Sequence, residues 1–201
     1  MDASVKKIIT ERVEQAGRGS FFFAQDFSDV APPDAVRKSL QRLVTDGLII
    51  RVAPGIYYYP KIDNVYGLGI IKPGISDIAE AIARRDNALI APTGPYALNM
   101  LGLSTQVPVN AVYITTGSSR NVPVGTGKGI QFIHTDSTKK LGYQSRLMML
   151  IVSALREIGK NRATAEELKI IKQHLDKVSS EDFSHDIKLA PIWVRKTLYS
   201  L

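Results

Sequence analysis

Between Pro32 and Pro60 the apolar residues repeat first with the period of a helix and then with that of a strand, and the change falls at a single glycine. Before Gly47, Val36, Leu40, Leu43 and Val44 recur at the i, i+4, i+7, i+8 spacing of one buried stripe. Asp34, Arg37, Lys38, Gln41 and Thr45 fall on the opposite face. Pro33 suits the first helical position, where a missing N–H costs nothing, and Gly47 supplies the left-handed residue that ends the helix. Beyond it, Leu48–Val52 and Ile56–Tyr59 are β-branched and aromatic runs joined by Ala53-Pro54-Gly55, and Pro-Gly fits the centre of a type II turn. The pattern predicts a helix ending at Asp46, followed at once by a hairpin with a rigid tip.

The flanking sequence extends this unit in both directions. Val5, Ile8, Ile9 and Val13 form the stripe of a first helix from Ser4 to Ala16, stopped by Gly17 and Gly19. Ser20 to Phe23 reads as a brief strand leading into a short helix at Ala24–Phe27, and Phe22, Phe23 and Phe27 read as core, with base stacking as the functional alternative. Three helices and a hairpin in this order predict a winged helix-turn-helix over residues 1–62. Residues 63–75 lack periodicity and carry Gly-x-Gly and Pro-Gly punctuation, so they read as a linker.

Residues 76–201 read as a mixed α/β domain with a helical C-terminal part, giving an α+β protein as a whole. Helices are expected after Ser76-Asp77 and at Pro95–Leu101, and strands at Ala88–Ala91, Val109–Thr116 and Gly129–His134. The stretch GSSRNVPVGTGK is expected as a loop. Leu147 to Ile158 outlines a long helix ending at Gly159, Thr164 with Glu167 is a capping-box pattern opening another, and a last helix starts near Pro191.

Composition narrows the chemistry. The chain has 201 residues and no cysteine, which excludes disulfides and thiolate chemistry and fits a reducing compartment. Lys6, Lys7, Glu11 and Arg12 stand where a signal peptide would need an apolar core, and no apolar run approaches the length of a membrane span, so a cytoplasmic protein is expected. Net charge is +7. Residues 1–60 hold eight Lys+Arg against seven Asp+Glu, and residues 61–201 hold eighteen against twelve, so the excess lies in the larger part.

Patterns associated with catalysis fail in detail. The run Gly125-Thr126-Gly127-Lys128-Gly129 lacks the earlier glycine and the following hydroxyl of a phosphate loop, with Val122 and Gly129 in those positions, and reads as a hairpin turn. His134-Thr135-Asp136 has no second histidine at metal-ligand spacing, and no Gly-x-Ser-x-Gly elbow occurs. No catalytic site, metal or cofactor is expected. A site assembled from His134, Asp136 and Lys128 is the arrangement that would point to an enzyme.

A helix presenting Arg, Lys and Gln can enter the major groove and reach base edges, while a hairpin carrying a cation can touch the backbone. The candidate DNA-contacting residues are therefore Asp34, Arg37, Lys38, Gln41, Arg42 and Arg51, with Pro54 and Gly55 at the hairpin tip. A protein-interaction module that docks a partner without specific DNA binding is the alternative.

The pattern Leu40-x-x-Leu43, Gly47-Leu48-Ile49, Arg51-Val52, Gly55-x-Tyr57 and Pro60 continues in TGPYALNMLGLSTQVP at Thr93–Pro108, Val112–Gly117 and the closing LAPIWV at Leu189–Val194. Together these resemble the bacterial AbiEi-like antitoxins of type IV toxin-antitoxin, abortive-infection systems. The resemblance implies a transcriptional regulator in phage defence whose winged helix represses its own operon, while its C-terminal domain counteracts a nucleotidyltransferase-type toxin; two copies on an inverted repeat is the usual arrangement for such DNA readers. The DNA role carries over to Arg37, Lys38, Gln41, Arg42 and Arg51. Arg120, Lys128, Lys139 and Lys140 are the candidates for facing an acidic surface on the toxin.

Overall fold

The computed structural model describes residues 2–125 and 127–201, which form a mixed α+β chain in two compact units. One contains residues 1–81 with 122–126, the other residues 82–121 with 127–201.

In the first unit, α1 (Asp2–Ala16) is followed by β1 (Phe21–Phe22), a 3-10 turn at Ala24–Phe27, α2 (Pro33–Thr45), β2 (Ile50–Ala53) and β3 (Ile56–Tyr58). The three strands form one antiparallel sheet in the order β1-β3-β2, with Phe21 opposite Tyr58 and Arg51 opposite Tyr57. Ile9, Val13, Phe22, Phe27, Val36, Leu40, Leu43 and Ile49 share one core. Burying a side chain of this size is worth about 1.5–3 kcal/mol. Phe22, Phe23 and Phe27 are all at most 7% exposed, so they hold the core together and offer no stacking platform.

Past Pro60 the chain forms a second, separate hairpin of β4 (Lys61–Asp63) and β5 (Gly69–Ile71), which begins just before the stretch 63–75 that the sequence marks as linker and gives most of it regular structure. Next comes α3 (Ile75–Arg85), whose Ile78, Ala79, Ile82 and Ala83 are buried as its spacing predicts.

The second unit holds all of a four-stranded sheet of order β6-β7-β9-β8 except residues 122–124 of β8. Its elements are β6 (Ile90–Thr93), α4 (Pro95–Met100), β7 (Asn110–Thr115), β8 (Arg120–Val124) and β9 (Lys128–His134). β6 runs antiparallel to β7 and β9 parallel to it, with Tyr113 directly opposite Phe132. Their rings lie 6.0 Å apart, a cross-strand pair on the buried face. Then follow α5 (Thr138–Leu141), α6 (Arg146–Ile158), α7 (Ala165–Leu175), α8 (Ser180–Asp186), a 3-10 turn at Ile187–Leu189 and α9 (Ile192–Tyr199). α6 is the hub: it packs on β6 and α4 and is in turn covered by α7, α8 and α9. Met148, Ile151, Ala154 and Leu155 are essentially inaccessible.

Two expectations need correction. The stretch 117–128 is not a continuous loop, because Arg120–Val124 forms β8. Pro123 argues against a strand in sequence, but β8 is an edge strand, where a missing N–H leaves no ladder bond unmade. The helical end also contains α8, which the apolar periodicity does not mark. Its Ser179 cap accepts from the Asp182 N–H, and only Asp186 within the helix is fully buried. Gly125 and Gly127, with φ of 61° and 72°, lie between β8 and β9 as a turn requires, and Thr126 lies outside the described residues.

Candidate nucleic-acid interface

The two faces of α2 are set by where its residues fall at 100° per position. Val36, Ser39, Leu40 and Leu43 are buried, while Asp34, Arg37, Lys38, Gln41, Arg42 and Thr45 are exposed and span about 140° centred near Asp34. Ser39 is the one polar residue on the inner face, and its Oγ has no hydrogen-bond partner among the described residues. The helix ends as its sequence requires: Pro33 occupies the first turn, and Gly47 adopts φ of 77° after the Asp46 cap.

Ion pairs brace this helix. Lys6 of α1 reaches the carboxylate of Asp46 at 2.6 Å, and Arg12 clamps Asp29, in the turn before α2, through both guanidinium nitrogens. The Arg12 donors hold the Asp29 carboxyl below the usual carboxylate range. Arg18 donates to the Pro60 carbonyl at 2.9 Å and lies 4.6 Å above the Tyr59 ring, fixing the exit of β3 against the end of α1. These three cations are committed within the unit. The exposed side chains of Lys38, Gln41 and Arg51 make no hydrogen bond or ion pair among the described residues.

Arg37 differs, because its guanidinium is bound to the Asp34 carboxylate one turn earlier. That contact lowers the Asp34 pKa, with a further contribution from the charges of Arg37 and Lys38. The outward face of α2 therefore carries an ion pair beside Lys38, with an amide at Gln41. Such a face can accept from a base amino group as well as donate to phosphate.

The hairpin following α2 is very short. Ala53 pairs with Ile56, so Pro54 and Gly55 alone form the exposed tip, with Gly55 at φ of 72°. A type II turn does not match the twist of two strands, and the register shifts between Arg51 and Ala53, where a bulge absorbs the difference. Arg51 stands exposed on β2 just before that bulge. An open apolar groove of about 700 Å³ lies beside the start of α2, walled by Val5, Ile8, Val30, Pro32 and Ala35 with Lys38 at its edge.

The four candidates in the second unit do not form one patch. Arg120 is ion-paired with Asp86, which also binds Arg85, and its guanidinium lies 5.4 Å from the Phe132 ring centre, so it braces β8 and β9. Lys128 opens β9, whereas Lys139 and Lys140 lie on α5 beyond its other end. Seven strand residues span about 20 Å. The same distance separates Lys128 from His134, so the strand holds apart the residues of the arrangement that would indicate an enzyme.

His134 has a local role instead. Its Nδ1 lies 2.9 Å from the Gly117 carbonyl and its Nε2 lies 2.9 Å from the Asp136 carboxylate. Both partners are acceptors, so the protonated ring, which donates from both nitrogens, is the form these contacts favour. These contacts, Gly117 first, raise its pKa. Among the described residues no group of three or more His, Cys, Asp or Glu is placed to hold a metal ion, and no helix is long and apolar enough to cross a membrane.

Sequence reasoning overlooks Asp186. Its fully buried carboxylate accepts from the backbone N–H groups of Gln144 and Ser145, both at 2.8 Å, at the entry to α6. The His185 ring also contacts it, with Nδ1 at 2.8 Å. No pattern in the sequence links these positions, which lie more than forty residues apart. No curated protein matches the sequence. Residues 8–183, most of the chain and both of its units, match one family model, and the chain belongs to that family of unknown function, DUF6088.

Proposed function

We propose that the first unit is a winged helix-turn-helix that binds DNA, with α2 as reading helix and the β2–β3 hairpin as wing, and that the protein regulates its own operon as an AbiEi-like antitoxin. The observation that carries this reading is the division of α2 into a buried face that is apolar but for Ser39 and an exposed charged, amide-bearing face, followed directly by a hairpin with an exposed arginine. The order of helix, strand, helical turn, helix and hairpin supports it. In this reading Lys38, Gln41 and Arg37 reach base edges or nearby phosphates, Arg42 supports from the flank, and Arg51 contacts the backbone.

The first unit carries ten Lys+Arg and ten Asp+Glu, so the net +7 resides in the second. Affinity for DNA then depends on where cations sit rather than on their number. The positive second unit suits an acidic partner, which in the proposed system is the toxin.

A salt titration of the full chain on DNA upstream of its own coding region, against scrambled DNA and against an Arg37→Ala/Arg42→Ala double variant, tests the reading. Specific binding lost in the double variant, with log affinity falling linearly in log salt, is the expected result. Equal weak binding to both DNAs would refute it. The apolar groove beside α2 and the acidic Asp34 at the centre of the outward face favour one second reading, a protein-interaction module without specific DNA binding. A stable complex with the neighbouring gene product and no promoter binding would select that alternative.

A further inference from the structure

The β4–β5 hairpin makes a sheet of its own, and no other strand among the described residues pairs with either of its edges. Its turn is rigid. The Asp63 carboxylate accepts the backbone N–H groups of Val65, Tyr66 and Leu68, at 2.9, 3.2 and 3.3 Å, leaving those side chains pointing outward. Ile62, Val65, Tyr66, Leu68, Ile70 and Ile71 are between 41% and 84% exposed. A two-stranded hairpin alone is marginally stable in water, and an open apolar edge is normally blunted by charge, proline or a cover. Here the β5 edge, Gly69-Ile70-Ile71, has none of these within the strand.

We infer that β5 is a pairing edge for β5 of a second copy of this chain, joining two hairpins into a four-stranded antiparallel sheet across a two-fold axis. Antiparallel pairing of a strand with itself is what a two-fold axis produces, so the edge is self-complementary. With the axis at Ile70, Ile70 faces Ile70, Ile71 faces Gly69 and Lys72 faces Leu68, so no lysine opposes a lysine. On each hairpin Ile62 lies beside Ile70 in register, and Leu68 and Lys72 share their face by strand alternation, so the joined sheet has an apolar centre of Ile62 and Ile70 flanked by Leu68 and Lys72. Edge pairing closes the open backbone groups of the two β5 strands and brings the flanks of Ile70 and Ile71 together, while Val65 and Tyr66 in the turn stay outside it.

The inference deepens the function proposed above, since a reader of an inverted repeat acts as two copies. It is tested without DNA, so failure of pairing and failure of DNA binding are separate results. Sedimentation equilibrium of the full chain across the micromolar range should show a dimer. Ile70→Asp, which sets two carboxylates face to face, should sediment as a monomer with unchanged circular dichroism. Because the chain has no cysteine, Ile70→Cys should form a covalent dimer on mild oxidation, whereas Asn64→Cys, in the turn and away from the axis, should not. A wild-type monomer throughout that range overturns the inference. So does a dimer that survives Ile70→Asp, or cross-linking of Asn64→Cys as fast as of Ile70→Cys. If Ile70→Asp disturbs the fold, the two cysteine variants decide.

Discussion

The Arg37 guanidinium is held by the Asp34 carboxylate on the outward face of α2, so the most versatile base-reading side chain of the first unit is masked by its own helix. Binding to DNA in the proposed mode must exchange this pair for a phosphate or a base edge. Asp34→Ala should therefore tighten binding to any duplex and steepen the slope of log affinity against log salt by about 0.9, the value of one added phosphate contact. Arg37→Ala should weaken specific binding by about 1–3 kcal/mol and relax discrimination at one position. Fluorescence anisotropy at four salt concentrations separates the two. An Asp34→Ala variant with unaltered slope would mean that Arg37 does not engage the duplex.

Gly47 ends α2 at φ of 77°, and a Cβ there would meet no atom within 4 Å. The cost of Gly47→Ala is then purely conformational, about 1 kcal/mol, and Gly47→Asn should cost less because Asn tolerates this region. Amide hydrogen exchange along α2 reads the difference. Equal protection in all three proteins would remove the strain argument.

Asp186 holds two backbone N–H groups at the entry to α6, so Asp186→Ala leaves both donors without that acceptor. The second unit should lose about 1–3 kcal/mol. Trp193, the single tryptophan, packs against that unit's core, so its fluorescence in a urea titration reports this unit. A midpoint within error of wild type would contradict the assigned role.

The His134 pKa is raised above its ordinary value by the Gly117 carbonyl and Asp136. The stabilisation it provides is complete below the unfolded value near 6.5 and disappears as pH rises through the higher folded value. Asp136→Asn should bring the pKa down towards its ordinary value, as followed by the ring proton shifts in an NMR titration. An unchanged titration in that variant would leave the Gly117 carbonyl as the sole cause.

The parts of the fold that were legible in the sequence are those whose signals are local. Pro33, Gly47 and the stripe between them mark α2 within fifteen residues, and Thr164 with Glu167 forms the expected capping box, the hydroxyl accepting from the Glu167 N–H and the carboxylate from the Thr164 N–H. What was missed depends on distant partners or weak patterns. β8 hides behind Pro123, and α8 is largely polar. The hairpin at Lys61–Ile71 is organised by Asp63 reaching backbone groups, which no periodicity records. At the candidate interface the residue types were legible, but the commitment of Arg37 to Asp34 was not. Likewise Arg120 stands out in sequence as a cation, while Asp86, thirty-four residues away, makes it a brace.

The link from Asp186 to Gln144 and Ser145 also sets an order in time. The helices and three-stranded sheet that end at Pro60 are complete when less than a third of the chain has been made. The entry to α6 must wait for residue 186, a further 126 residues. At about 5–20 residues per second that delay is on the order of 10 s. α6 itself is complete at Ile158, so over the last 28 of those residues, on the order of a few seconds, its apolar face lacks the finished α8 and α9. A newborn chain would thus carry a finished first unit ahead of an unfinished second one, whose hub helix stays open to a chaperone until those segments follow.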